Sequence, residues 1–134
     1  MDRYDQTAPS LADFEAMAQR AFQELPEMFR ARCATLLIRV DDLAPDEVLR
    51  DVGLEDPFGL TGLYQGVALT QKSHADTGSL PDTVWLYRRA ILDEWAARGD
   101  VALDRLVAHV LVHEIAHHFG MSDDDIASID EWWL

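Results

Sequence analysis

Between Val101 and Phe119 the chain makes two demands that one helix seldom meets together. Val101, Leu103, Leu106, Val107, Val110, Leu111, Val112 and Ile115 put apolar side chains around most of a helix's girth, which predicts a core element. The same run carries His113, Glu114 and His117. Burying such groups without partners is costly, so a core helix that keeps them needs a use for them. Asp100 is the expected N-cap, with Asp104 just inside the first turns.

The polar residues read H-E-x-x-H-x-x-G-x-x-D from His113 to Asp123, a spacing that can hold zinc beside a proton-handling carboxylate. At ~100° per residue, His113 and His117 differ by only ~40° around the helix and lie one turn apart, so both imidazoles can reach one ion. Glu114 is turned away from that stripe and suits a metal-associated water rather than the metal. Gly120 can adopt the left-handed turn that ends a helix, which would bring Asp123 back towards the imidazoles. Two histidines and a carboxylate leave a fourth position for water, whose pKa falls to roughly 7. Glu114 is then the general base and, afterwards, the general acid. Asp124 is the alternative third ligand. Ser122-Asp123-Asp124-Asp125 also reads as the capped start of a last helix to about Glu131, so the acidic trio has a structural explanation too. The offset from His117 favours Asp123.

The remaining histidines stay outside the expected ligand set. His109 shares the face of His113, but the helical rise separates it from His117 by ~12 Å, too far for a shared ion. It reads as core packing or support for the site. His118 points ~100° away from His117 and reads as a surface or packing residue. His74 lies in a polar loop.

With 134 residues, 49 % of them apolar, the chain is expected to form one domain over residues 1–134 around one core, after a flexible first ten residues. The lone Cys33 permits no internal disulfide and suggests a reducing compartment. Met1–Tyr4 leads into no basic and apolar leader, and no apolar run approaches ~20 residues, so the cytoplasm is expected and no membrane contact. A formal net charge of −14 argues against a nucleic-acid surface, which needs Lys and Arg on phosphates. The acidic residues are scattered along the whole chain and read as a solvated surface.

The order of elements is α+β. Leu11 to about Arg32 is helical with a break at Pro26, and Thr35–Val40 predicts a central strand. A helical turn is expected near Asp46–Arg50. Gly59–Gly66 leads into a second strand at Val67–Thr70. Thr83–Arg88 is a third strand, Ile91–Arg98 a short helix closed by Gly99, and the helix with the histidines follows. Trp132-Trp133-Leu134 is expected to fold back on the domain or meet a partner.

From about Phe14 to Glu131 the chain resembles the small bacterial zincin-like metallopeptidases, once catalogued as a domain of unknown function. The resemblance is carried by Gly62-Leu63-Tyr64-Gln65-Gly66, by Leu80-Pro81-Asp82 and by His113 through Asp125. It implies a compact single-domain zincin-like fold: a small twisted mixed sheet, a backing helix, an active-site helix and a short C-terminal helix. It also implies an extended peptide lying along an edge strand above the metal. Thr83–Arg88 is the candidate for that edge, a middle strand being the alternative. The ligand offsets are similar to those of metzincin proteases, with Asp in place of the commoner last His. Only eleven residues follow Asp123, and Met121 lies inside the ligand segment, so the usual lower subdomain and its Met-containing turn are not expected.

Three activities follow as expectations. The first is a zinc-dependent peptidase acting on peptides or unfolded protein, with His113, His117 and Asp123 as ligands and Glu114 as base. The second is a catalytically weak or inactive zinc-binding module that engages a partner. The third is a metal-dependent endoribonuclease resembling bacterial ribosomal-RNA maturation factors, which the acidic surface and Glu114 disfavour. Tyr64, Tyr87, Arg88 and His74 are all possible oxyanion stabilisers.

Overall fold

A computed structural model describes residues 8–66 and 82–121. The described residues form five α-helices and a three-stranded mixed sheet, the expected α+β architecture. The expected strand at Val67–Thr70, the expected last helix from Asp123 and the closing Trp132-Trp133-Leu134 lie outside the described residues.

The backing helix, α1 (Leu11–Gln23), starts where Ser10 and Asp13 form a reciprocal capping box. The carbonyl of Pro9 also accepts from Arg88 at 2.7 Å. Phe14, Ala18 and Ala21 of α1 are buried. Pro26 breaks the helical run as expected, and α2 (Glu27–Ala31) restarts directly after it.

Strand β1 (Leu37–Asp41) is parallel to β3 (Thr83–Tyr87), with Leu37 opposite Thr83 and Asp41 opposite Tyr87. Strand β2 (Gly62–Gln65) runs antiparallel on the other side of β3, with Gly62 opposite Leu86 and Gln65 opposite Thr83. The order is β1-β3-β2. Two expectations are corrected here. Thr83–Arg88 is not an edge: its strand ends at Tyr87 and is paired on both sides. Among the described residues Thr35–Val40 is not central: β1 pairs with β3 on one side only. Both corrections have one cause. A central strand is apolar on both faces, and four of the five residues of β3 are buried, whereas β1 alternates exposed Leu37, Arg39 and Asp41 with half-buried Ile38 and Val40. The run Gly62–Gln65, expected to lead into a strand, is itself one.

On one face of the sheet Val84 and Leu86 join Phe14, Ala18, Val107, Leu111 and Ile115 in the main core, with Ile38, Val40 and Tyr64 at its margin. On the other face Tyr87, Ala44, Leu49 and Ala90 form a smaller cluster under α3 (Asp46–Val52) and the start of α4 (Arg88–Arg98), with Trp85 and Leu63 packed against it. The long helix α5 (Leu103–His118) crosses the main core, packed against α1, β2 and β3. Asp100 does not cap it. The helix begins two residues later than that cap requires, after Ala102, and the Trp95 indole N–H holds the Val101 carbonyl at 2.8 Å. No described helix is long and apolar enough to cross a membrane.

Candidate metal centre

Helix α5 sets the geometry of the site. Val107, Leu111, Val112, Ile115 and Ala116 are buried, which holds the helix in one rotational setting against the sheet. In that setting His113, Glu114 and His117 are half-buried. The rings of His113 and His117 lie 5.2 Å apart between centroids at an interplanar angle of 75°. Two imidazoles on one tetrahedral zinc, each with a Zn–N bond of ~2.0–2.1 Å, place their centroids roughly 5 Å apart. The observed spacing of the pair matches that value. Imidazole donors with a carboxylate also suit zinc chemically.

Glu114 faces strand β2. A Cβ built on Gly62 would stand 3.2 Å from Cγ of Glu114 and 2.6 Å from Cγ1 of Val110, so the strand lies against this part of the helix without a side chain between. The stem of Glu114 thus lies against β2.

Helix α5 stops as the sequence implies. Gly120 has φ 78°, its N–H donates to the His117 carbonyl at 2.9 Å, and the Met121 N–H donates to the Ala116 carbonyl at 3.1 Å. That is a Schellman motif, which only a residue tolerant of positive φ completes without strain. Phe119 is braced by an edge-on contact with Phe29 of α2, centroids 5.6 Å apart. Asp123 and Asp124, the two candidates for the third ligand, lie outside the described residues. Among the described residues no group of three His, Cys, Asp or Glu is arranged to hold a metal.

His118 is where sequence reasoning fell short. Of the surface and packing alternatives the second holds, since its side chain is 1 % exposed, but its polar partners were not foreseen. Its Nδ1 lies 3.3 Å from Oδ2 of Asp82, itself buried, and 3.0 Å from the hydroxyl oxygen of Tyr64. The signal was present in the spacing. His118 follows Val107, Leu111 and Ile115 at helical intervals and so continues the buried stripe. Burial, then the charge of Asp82 and its hydrogen bond, push the Tyr64 phenol well above its usual range.

Of the four oxyanion candidates, three are engaged elsewhere. The Tyr64 hydroxyl belongs to the His118 cluster. Tyr87 is 2 % exposed and packs in the smaller cluster on the opposite face of the sheet. Arg88 binds the Pro9 carbonyl and Asp42, the latter at 2.9 Å. His74 lies outside the described residues. His109 is half-buried one turn before His113, and Cys33 is a packed thiol, its pKa raised by burial.

No curated protein matches the chain. The model of a family described as zincin-like metallopeptidase matches residues 33–133, which takes in the whole sheet, α5 and the segment beyond Gly120 but leaves out α1 and α2. The resemblance read from Phe14 onward therefore begins later, at Cys33, and with a match over most of its length the chain belongs to the zincin-like metallopeptidase family.

Proposed function

We propose that this protein is a zinc-dependent peptidase in which His113 and His117, with Asp123 from the segment after Gly120, hold the metal and Glu114 moves the proton. The observation that carries the reading is the pair of imidazoles with centroids 5.2 Å apart on the helix that also carries half-buried Glu114, whose stem lies against β2. A bound zinc ion supplies Lewis acidity, which activates water at neutral pH and polarises a substrate carbonyl.

Glu114 accepts a proton from the attacking water and returns it to the departing amine nitrogen, so one carboxylate serves as base and then as acid. An extended peptide must pair along a flank of the sheet, because both sides of β3 are already taken. Strand β2 is the flank that packs against α5, so the role expected of Thr83–Arg88 passes to Gly62–Gln65.

Glu114 also separates this reading from a zinc-binding partner module, since a site that only stabilises a fold has no use for a base beside its ligands. The test is to measure bound zinc and peptide hydrolysis in the wild type and in Glu114→Gln. The variant is expected to keep its zinc and lose about 10²–10⁴-fold in turnover. Equal turnover in both removes Glu114 from the reaction, and zinc without turnover in either favours the partner module.

A further inference from the structure

The end of α5 carries a buried polar cluster to which the proposed reaction gives no role. Asp82 and His118 have side chains 3 % and 1 % exposed, and the Tyr64 ring meets the His118 imidazole edge-on with centroids 5.5 Å apart. The Tyr64 hydroxyl is hydrogen-bonded to Asp82 as well as lying beside His118 Nδ1. His118 Nδ1 lies 3.3 Å from Oδ2 of Asp82 and 3.0 Å from the Tyr64 hydroxyl, so the three polar groups meet around one ring nitrogen.

The cluster joins every strand to the end of α5. Asp82 immediately precedes β3, and its carbonyl accepts from the Leu37 N–H at the start of β1 at 2.9 Å. A Cβ on Gly66, the residue after β2, would collide with the Asp82 carboxylate. His118 is the last residue of α5, adjacent to His117 and two residues before the turn at Gly120. Burying these three polar groups costs desolvation that apolar residues of similar volume would avoid, so packing alone does not account for them. Directional bonds constrain the last turn of α5 beyond the setting that apolar burial gives the helix as a whole.

We propose that Asp82, His118 and Tyr64 are positioning residues for the metal centre: by bonding the last turn of α5 to the ends of β1, β2 and β3, they set the direction in which His117 and the chain beyond Gly120 face. The proposal rests on the zinc reading above, but its test needs no peptidase activity. Zinc affinity is measured by competition with a chromophoric chelator, and the visible spectrum is recorded with cobalt in place of zinc. Both are done on wild type, Tyr64→Phe and Asp82→Asn at a temperature where circular dichroism shows each to be folded.

Each variant is expected to bind zinc about 10–100-fold more weakly than the wild type and to shift the cobalt bands. Folded variants with wild-type affinity and an unchanged cobalt spectrum overturn the proposal, whatever their loss of melting temperature. Tyr64→Phe keeps the ring and removes one oxygen, so it decides the matter if Asp82→Asn does not fold. A wild-type chain that binds no zinc overturns the functional reading and this inference together. A chain that binds zinc and cleaves nothing, with both variants weakened, overturns only the peptidase.

Discussion

Gly62 of β2 and Val110 of α5 approach so closely that a Cβ at position 62 would stand 2.6 Å from Cγ1 of the valine. Position 62 is buried, and its backbone is opposite Leu86 in the ladder, so neither element has an easy direction of retreat. Gly62→Ala is expected to destabilise the fold by about 1–3 kcal/mol through overpacking. Because the same Cβ would crowd Glu114, turnover should fall further than zinc content. Urea unfolding, metal analysis and peptide hydrolysis on one preparation check both parts.

Gly120→Ala would place a Cβ at φ 78°, a conformation that costs roughly 1–2 kcal/mol in an L-residue. The turn either strains or reopens, and the segment that carries Asp123 shifts with it. Zinc affinity is expected to fall while the melting temperature of the metal-free protein drops by only a few degrees. Unaltered zinc affinity in this variant would argue against any ligand beyond Gly120.

Arg88 is tied to the Pro9 carbonyl at 2.7 Å and to Asp42 at 2.9 Å, bonds that join the start of α4 to the residues before α1 and after β1. Arg88→Ala should therefore destabilise the protein, by about 1.5–3 kcal/mol for hydrogen bonds to a charged group, and leave turnover of the folded enzyme unchanged. Thermal denaturation and steady-state kinetics separate the two effects. A collapse of turnover with intact stability would return Arg88 to the list of oxyanion stabilisers.

Burial and the neighbouring charge of Asp41 push the Tyr87 phenol from 10.0 up to about 12. The folded chain then holds this proton more tightly than the unfolded chain. The stability it contributes is fully present below pH 10 and is lost as pH rises towards 12, a change on the order of 2 kcal/mol. Tyr64 is shifted in the same direction and adds to the decline. Urea midpoints of the metal-free protein across this range should fall with pH, and Tyr87→Phe should make the fall shallower. A midpoint insensitive to pH in this range would contradict the burial of both phenols.

The sequence by itself determined the parts of the site that depend on short-range geometry. The 3.6-residue repeat of α5 puts His113 and His117 on one side with Glu114 beside them, and the missing Cβ of Gly120 permits the turn after Phe119. Both can be read from neighbours a few residues apart. Other features were decided only when distant segments met. Period-two alternation tells which face of a strand is buried but not which strand lies next to it, so the central place of β3 and the flanking place of β1 depended on the pairing itself. The N-cap expected at Asp100 gave way to Ala102. His118 acquired its partners from Tyr64, 54 residues earlier, and from Asp82, because folding brings three strand ends to the last turn of α5. No local pattern encodes that meeting, since it depends on the whole core fixing how the helix lies across the sheet.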